Sequence, residues 1–599
     1  MPRRLKHHGK RSKLGCEPTG SSATALQAVE QIPVSVTERP PNSEPSLAGP
    51  VSPARSLALL FVLAWALNLY FYSGYYMSDD GSYLGGIQQL AALEPIDAGN
   101  IAHTRLMTIL PAALVYAATG SLLVTILSFT LYHPLLVLVV YWIGRLVFAP
   151  RSALLAALLV ALSPVYYSFG GALLPDNPLS LWLALLLAAV LWVLRWSQDP
   201  GRSERRELLL WLAIGGLNGM AYSAKEPGLI FAVPVALSIL IGRLQQGARW
   251  RALRCAIAFG FGLLAFLLFE SLVLRVLSGG WYIRLLAGMG NDNNVAALLD
   301  RVKRQGISPG QRLAFWYSRN ALYFGLAIWA AVAAHLAAFW LARRRGPLAL
   351  QRGVLGILAS FWIWPFFYLT LGTTSLRQYL PPPLHHARYF SICVAPALLL
   401  TAAVLVELFE QAAARLPESR PRLRQLLACV PAVLGAIWGI AQLVQFEPSA
   451  GAIYRALETK AVLAAFQDAR RLQPKLPVVL SSFLGQRLNP VLHTPGCSGC
   501  DRVTLVDTLP EAPPRPFVAI MLTQTRRDSL GPALTRLQKA GQLQLQPIGL
   551  GVYRAPLGRR AELRAALYPL LGEFSEPGGP RAGADEAISL YLVSDAAAQ

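Results

Sequence analysis

Long apolar runs constrain this chain more than any other feature. A helix needs about 20 mostly apolar residues to cross a bilayer, because hydrocarbon leaves no backbone N–H or C=O a partner outside the helix itself. Runs of that kind fall at roughly 56–76, 121–148, 152–170, 177–196, 207–224, 227–243, 255–278, 320–342, 352–372, 390–410 and 425–445. The expected fold is therefore an α-helical polytopic membrane protein of about eleven spans. Composition agrees, with 54% hydrophobic and 14% charged residues. A formal net charge of +22 raises nucleic acid as a partner, but the basic residues fall in short bursts between apolar runs rather than on one face. They read as loop charges beside membrane lipids, and no nucleic-acid partner is expected.

Orientation follows from those bursts. Arg3, Arg4, Lys6, Lys10, Arg11 and Lys13 mark residues 1–53 as a disordered, basic cytoplasmic tail, with no cleavable leader before the first span. With eleven spans, Arg145/Arg151, Arg195–Arg206, Arg243–Arg254, Arg343–Arg352 and Arg415–Arg424 all fall on the cytoplasmic side. Residues 106–118 are apolar but too short to span, and counting them as a span would put the next four bursts on the wrong side. They are expected to lie on the outer surface as an interfacial or re-entrant stretch. Three domains result: the tail, a transmembrane domain over 54–445, and a small soluble extracytoplasmic α/β domain over 446–599. In the last, strand-like runs occur at 477–482, 503–507, 516–522 and 543–554, and helical ones at 455–471 and 528–540.

The ionisable residues expected on the outer side each allow a bland and a chemical reading. Asp79 and Asp80, in Met77-Ser78-Asp79-Asp80-Gly81-Ser82-Tyr83, either cap an interfacial helix or supply a base at the membrane surface. Asp176 precedes an apolar run and either starts its helix or serves a site. Lys225, followed by Glu226, interrupts two spans against the positive-inside bias, and either pairs with an acid or holds a phosphate. Arg377, His385, His386 and Arg388 form a cationic rim before a late span, suited to headgroup anchoring or to a lipid phosphate, and His103 and Arg105 add similar chemistry. Asn291-Asp292-Asn293-Asn294 reads as a turn, and Cys497/Cys500 reads as a local disulfide rather than a metal site with His493.

In order, these segments resemble the GT-C superfamily of membrane glycosyltransferases, in the branch of protein O-mannosyltransferases and lipid A aminoarabinose transferases (glycosyltransferase family 39-like). The resemblance rests on Asp79-Asp80-Gly81-Ser82-Tyr83, Leu110-Pro111 to Thr119-Gly120, Ile143-Gly144-Arg145, Asp176 before Leu181-Trp182, Lys225 in Ala-Lys-Glu-Pro-Gly, and Arg388-Tyr389 to Pro396. It covers roughly residues 55–400. It implies an inverting transfer of a sugar from a polyprenyl-phosphate donor to a lipid, glycan or protein acceptor in the cell envelope, outside a bacterial cytoplasmic membrane. The roles it implies are Asp79 as base, Asp176 at the acceptor, and Lys225 and Arg388 on the donor phosphate. Beside these, Asp80 is expected to orient the acceptor or help to hold a divalent cation, and His386, Tyr389 and Arg105 to add to the phosphate site. The acid pair is Asp-Asp where the family often has Asp-Glu, and the sugar-binding repeats of protein-mannosylating members have no counterpart in 446–599. Two other classes remain open: a lipid-linked polysaccharide polymerase or ligase, and a secondary transporter.

Overall fold

The computed structural model describes residues 53–445 apart from 71–78, 99, 168, 200, 245–247, 281–307, 309, 313–328, 339–351, 374–386 and 418. Beyond these it describes 462, 464–481, 503–506, 515–522, 530–553 and 588–595. The chain divides into Met1–Pro53 and Ala54–Gln599, and the description below concerns the second unit. The basic tail, the Asn291–Asn294 turn, Arg377, His385, His386, His493 and the Cys497/Cys500 pair lie outside the described residues.

The protein is a multi-pass membrane protein. Its helices are α1 (Pro53–Tyr70), α2 (Asp79–Ala91), α3 (Leu106–Thr119), α4 (Leu122–Phe129), α5 (Tyr132–Val147), α6 (Pro150–Ala161), α7 (Pro164–Tyr167), α8 (Asp176–Trp196) and α9 (Glu204–Ala224). A 3-10 helix, Glu226–Phe231, leads to α10 (Ala232–Leu244) and α11 (Arg249–Ser278). There follow α12 (Trp329–Ala338), α13 (Arg352–Leu371), a 3-10 turn at Ala387–Phe390, α14 (Ser391–Ala414) and α15 (Pro421–Gln445). Among the described residues seven spans are long and apolar enough to cross a membrane, the first formed by α4 and α5 together, while α1, α3, α6 and α12 are shorter apolar helices. Each of the eleven apolar runs contains helix among its described residues, and seven of them reach the length and apolarity of a span there.

α8 and α14 are the most deeply buried spans, and α11 and α15 expose most of their surface. One apolar core, with Leu136, Val140, Val160, Leu187, Phe231, Phe361 and Leu399 among its members, runs through α5, α6, α8, α10, α13 and α14. α9 and α11 approach backbone to backbone. A Cβ on Gly262 would stand 1.9 Å from the Leu212 carbonyl oxygen, so only glycine admits this crossing. α3 has 14 residues, about 21 Å of rise, well short of a hydrocarbon core about 30 Å thick. It ends in a left-handed Gly120 and packs beside α2 around Tyr83, Leu84, Ile87, Ile109 and Ala113. The end of α1 is tied to the α4–α5 break, where Trp65 Nε1 donates to Thr130 Oγ1 at 2.9 Å and Asn68 Nδ2 to the Thr130 carbonyl at 2.7 Å.

Near the C-terminus lies a five-stranded sheet: β1 (Val478–Ser481), β2 (Val503–Val506), β3 (Phe517–Leu522), β4 (Leu543–Tyr553) and β5 (Ile588–Asp595), in the order β2-β1-β3-β5-β4. β1 pairs parallel with β2 and β3, and β5 runs antiparallel to both β3 and β4. Alternate residues face opposite layers. Val478, Leu480, Val518 and Ile520 pack on Ala465, Phe466 and Ala469 of α16 (464–472). Val479, Phe517, Ala519 and Val593 pack on Leu530 and Leu534 of α17 (Leu530–Lys539). The α/β reading of this region holds. The sequence reading lacked β5, which comes from the far end of the chain and sits between β3 and β4.

Candidate active site

The site grows from one interruption in the helical backbone. α9 stops at Ala224 because Lys225 takes an extended conformation (φ −163°, ψ 146°), and Pro227 follows, whose missing N–H suits the start of the 3-10 helix. The chain folds back so tightly that a Cβ on Gly228 would lie 2.3 Å from the Ala221 carbonyl carbon. Asn218 Nδ2 donates to the Gly228 carbonyl at 2.8 Å, and Thr108 Oγ1 of α3 to the Ala224 carbonyl at 3.0 Å. These contacts fix two adjacent, oppositely charged side chains, which turn to different partners.

Lys225 is 6% exposed and Asp176 is 2% exposed. Lys225 Nζ donates to Asp176 Oδ1 at 2.6 Å and stands 4.3 Å from the centroid of the Tyr389 ring. The helix N-terminus at Asp176 favours a carboxylate there. Tyr389 comes from the 3-10 turn before α14. That turn runs into Ser391 at the start of α14, where Ser180 Oγ of α8 donates to Ser391 Oγ at 3.1 Å and the Tyr166 hydroxyl of α7 donates to the Ser391 carbonyl at 2.7 Å. A small apolar void with room for about one water molecule, lined by Ser180, Ser391, Ile392, Val140, Phe231 and Phe361, lies between α5, α8, α13 and α14.

Glu226 faces the other way. Arg105, the residue before α3, grips it in a fork, with Nε to Oε1 at 3.2 Å and Nη2 to Oε2 at 2.6 Å, the bidentate geometry that suits guanidinium and carboxylate. Its Nη1 donates to the Tyr83 hydroxyl, and its Cζ lies 5.7 Å from that ring's centroid. Burial drives the Tyr83 phenol well above its ordinary value, against the opposing charge of Arg105. Burial also works against the charge on Arg105, but Glu226 and Tyr83 outweigh it and hold the guanidinium charged. His103, packed nearby in the same loop, is pushed below the usual histidine value by burial, with Asp97 and the Ser82 carbonyl opposing.

Asp176, Lys225, Tyr389 and Arg105 are thus gathered by the ends of α8, α9, α3 and the turn before α14. Asp79 and Asp80 open α2, and their side chains lie outside the described residues. Their positions precede Tyr83 by four and three residues, one helical turn on the same side of α2. The Arg388 side chain and His386 also lie outside the described residues, while Tyr389, next to Arg388, is in contact with Lys225. The sequence did not assign Tyr83 and Glu226. Lys225 beside Glu226 suggested a pair between them or with some other acid, yet Lys225 takes Asp176, 49 positions away, and Glu226 takes Arg105, 121 positions away. Among the described residues no group of three His, Cys, Asp or Glu is placed to hold a metal.

The family described as Dolichyl-phosphate-mannose-protein mannosyltransferase matches residues 106–274. An undecaprenyl phosphate-alpha-4-amino-4-deoxy-L-arabinose arabinosyl transferase of Pectobacterium atrosepticum is 25% identical over 307 residues, 51% of this chain and 48% of that protein. Its counterpart in Edwardsiella ictaluri is 25% identical over 299 residues, 48% of this chain and 45% of that protein. The chain therefore matches about half the length of these curated relatives. Among solved structures, ArnT from Cupriavidus metallidurans bound to undecaprenyl phosphate superposes with a TM-score of 0.47 at 15% identity, over 83% of this chain and 96% of that one.

Proposed function

We propose that this protein is an inverting membrane glycosyltransferase that moves a sugar from a polyprenyl-phosphate donor to a cell-envelope acceptor. The observation that carries the reading is the double ion pair at Lys225–Glu226. Two cations, Lys225 and Arg105, are held at one end of the helical bundle, each against a carboxylate and an aromatic ring. Charge buried at such expense marks a working site in a membrane protein. The arrangement suits an anion that arrives with an apolar tail. The phosphate competes for Lys225 and Arg105 at the bundle end, and the tail lies along the apolar outer surface of the spans. The relatives named as undecaprenyl phosphate aminoarabinose transferases support the same donor class.

The chemistry needs few parts. An acceptor hydroxyl oxygen attacks the anomeric carbon, the bond from that carbon to the phosphate oxygen breaks, and polyprenyl phosphate leaves with the electron pair. Attack opposite to the leaving group inverts the centre. The cations stabilise charge developing on the phosphate, with Arg388 completing the set. Asp79 takes the acceptor proton, and Asp80 orients the acceptor. Lys225 drawn onto the phosphate releases the Asp176 carboxylate to bind the acceptor. A divalent cation has a place in this scheme only at Asp79 and Asp80, and no step depends on it. The basic bursts put the N-terminus in the cytoplasm, the site on the outer face of a bacterial cytoplasmic membrane, and 446–599 outside as a soluble domain.

The test is mass spectrometry of envelope glycans and lipids from cells with and without this protein, paired with binding of polyprenyl phosphate to the purified chain. The reading requires a glycan that disappears with the protein and donor binding that weakens in Lys225→Ala. A polymerase or ligase would instead change chain length without removing a single sugar modification.

A further inference from the structure

The end of α9 opposite Lys225 carries a second buried charge cluster with a different composition. Glu207 is fully buried among α9, α10 and α11. Its Oε1 accepts from Arg243, also fully buried, and from Trp211 Nε1 at 3.4 Å, with the Cys255 sulfur 3.5 Å away. Its Oε2 accepts from Arg251 Nε at 2.7 Å. One helical turn further on, Arg254 Nη2 pairs with Glu204 Oε1 at 2.9 Å. Eighteen residues separate Glu207 from Lys225, about 27 Å of helix, so the two clusters are distinct.

The balance of charge here is one-sided. Segments 195–207 and 243–254 hold eight arginines against three acids. Arg251 lies partly at the surface, with its side chain 30% exposed, and Arg254 is more open. Beside them Trp250 is 77% exposed. An indole standing free next to guanidiniums at a helix end is the usual arrangement at the headgroup level of a bilayer. From Trp250 and Arg254 the same side of α11 continues through Leu253, Ile257, Phe261, Leu264 and Leu268, all exposed. Gly260 lies within this strip, and a Cβ there would meet nothing within 4 Å, which leaves a shallow furrow.

We infer that Arg251, Arg254 and Trp250 form a binding site for an anionic phospholipid, with its phosphate on the two arginines and an acyl chain along the Ile257–Leu268 strip of α11. The charge excess calls for an anion, and the apolar strip starting at the same residues calls for an anion with a long tail. A soluble phosphate would use only the first feature. The lipid would brace the end of α9, whose other end presents Lys225.

The test uses the full chain in nanodiscs of phosphatidylcholine with increasing phosphatidylglycerol, reading the unfolding midpoint at fixed ionic strength. Each arginine near an anionic surface contributes about a fivefold preference, so two should favour phosphatidylglycerol by roughly 25-fold. The midpoint should therefore rise and saturate at a low phosphatidylglycerol fraction. Arg254→Gln with Trp250→Ala should move saturation to a fraction at least about fivefold higher. This pair leaves Glu207 its arginines, so the variant should still fold. Arg251→Gln should shift saturation further. Three results would overturn the proposal: a midpoint independent of phosphatidylglycerol, an unshifted curve in the double variant, or an equal rise on adding inorganic phosphate to phosphatidylcholine discs.

Discussion

Replacing Lys225 with Met removes one member of a pair that is almost wholly shielded from solvent. The 2.6 Å contact to Asp176 and the face of Tyr389 both disappear, and Asp176 keeps a buried carboxylate without its ammonium. Breaking such a pair from one side typically costs about 3–5 kcal/mol, because the surviving charge stays desolvated. The cation–π contact adds up to about 2 kcal/mol to the loss. Asp176→Asn strands the opposite charge, but Tyr389 still faces the ammonium, so its cost should fall near about 3 kcal/mol. Lys225→Met with Asp176→Asn strands neither charge and should be less destabilised than either single variant. A double-mutant cycle in mixed micelles, unfolded with SDS, should therefore return a coupling of at least about 2–3 kcal/mol. Additive single effects would show that the two groups do not depend on each other, and the reading of this turn as a charge-coupled site would fail.

Other outcomes follow from the same geometry. Arg105→Lys cannot reproduce the fork on Glu226 and should weaken binding of polyprenyl phosphate by about tenfold in a titration, with the fold retained by circular dichroism. Gly228→Ala places a methyl group against the Ala221 backbone and should cost about 1–3 kcal/mol, read as a lower unfolding midpoint. His103 is held neutral by burial, so its folded-state pKa lies below its unfolded value near 6.5. Below that value the unfolded chain binds the extra proton, so this contribution to stability is present above about pH 6.5 and is lost as the pH falls. His103→Gln should flatten the dependence of the unfolding midpoint between about pH 5 and 7.5.

The spans were legible in the sequence because crossing a membrane imposes a length and a polarity that local composition records directly. The short α3 was legible as an apolar helix of about the expected length, 14 residues. Lys225 and Asp176 were legible as ionisable residues in apolar surroundings. Their pairing was not, because adjacent Lys225 and Glu226 turn to partners from different helices, a choice made by the Gly228 fold-back and by Thr108 rather than by neighbours in sequence. Tyr83 looked like part of a motif and proved to be a hydroxyl accepting from Arg105. β5 was missed for a similar reason: its place depends on pairing with β3 and β4, and isolated β patterning carries little of that information.

In the proposed transfer a base at the start of α2 takes the acceptor proton, and Asp79→Asn isolates that step. The substitution keeps the shape of the side chain and removes its basicity. Transfer from a polyprenyl-phosphate sugar should be measured beside donor binding, for the wild type, Asp79→Asn and Asp80→Asn. Asp79→Asn should slow transfer by about 10²–10⁴ while donor binding stays within about twofold, since the proposed phosphate site is built on Lys225 and Arg105 and not on Asp79. Transfer at the wild-type rate by Asp79→Asn would contradict it.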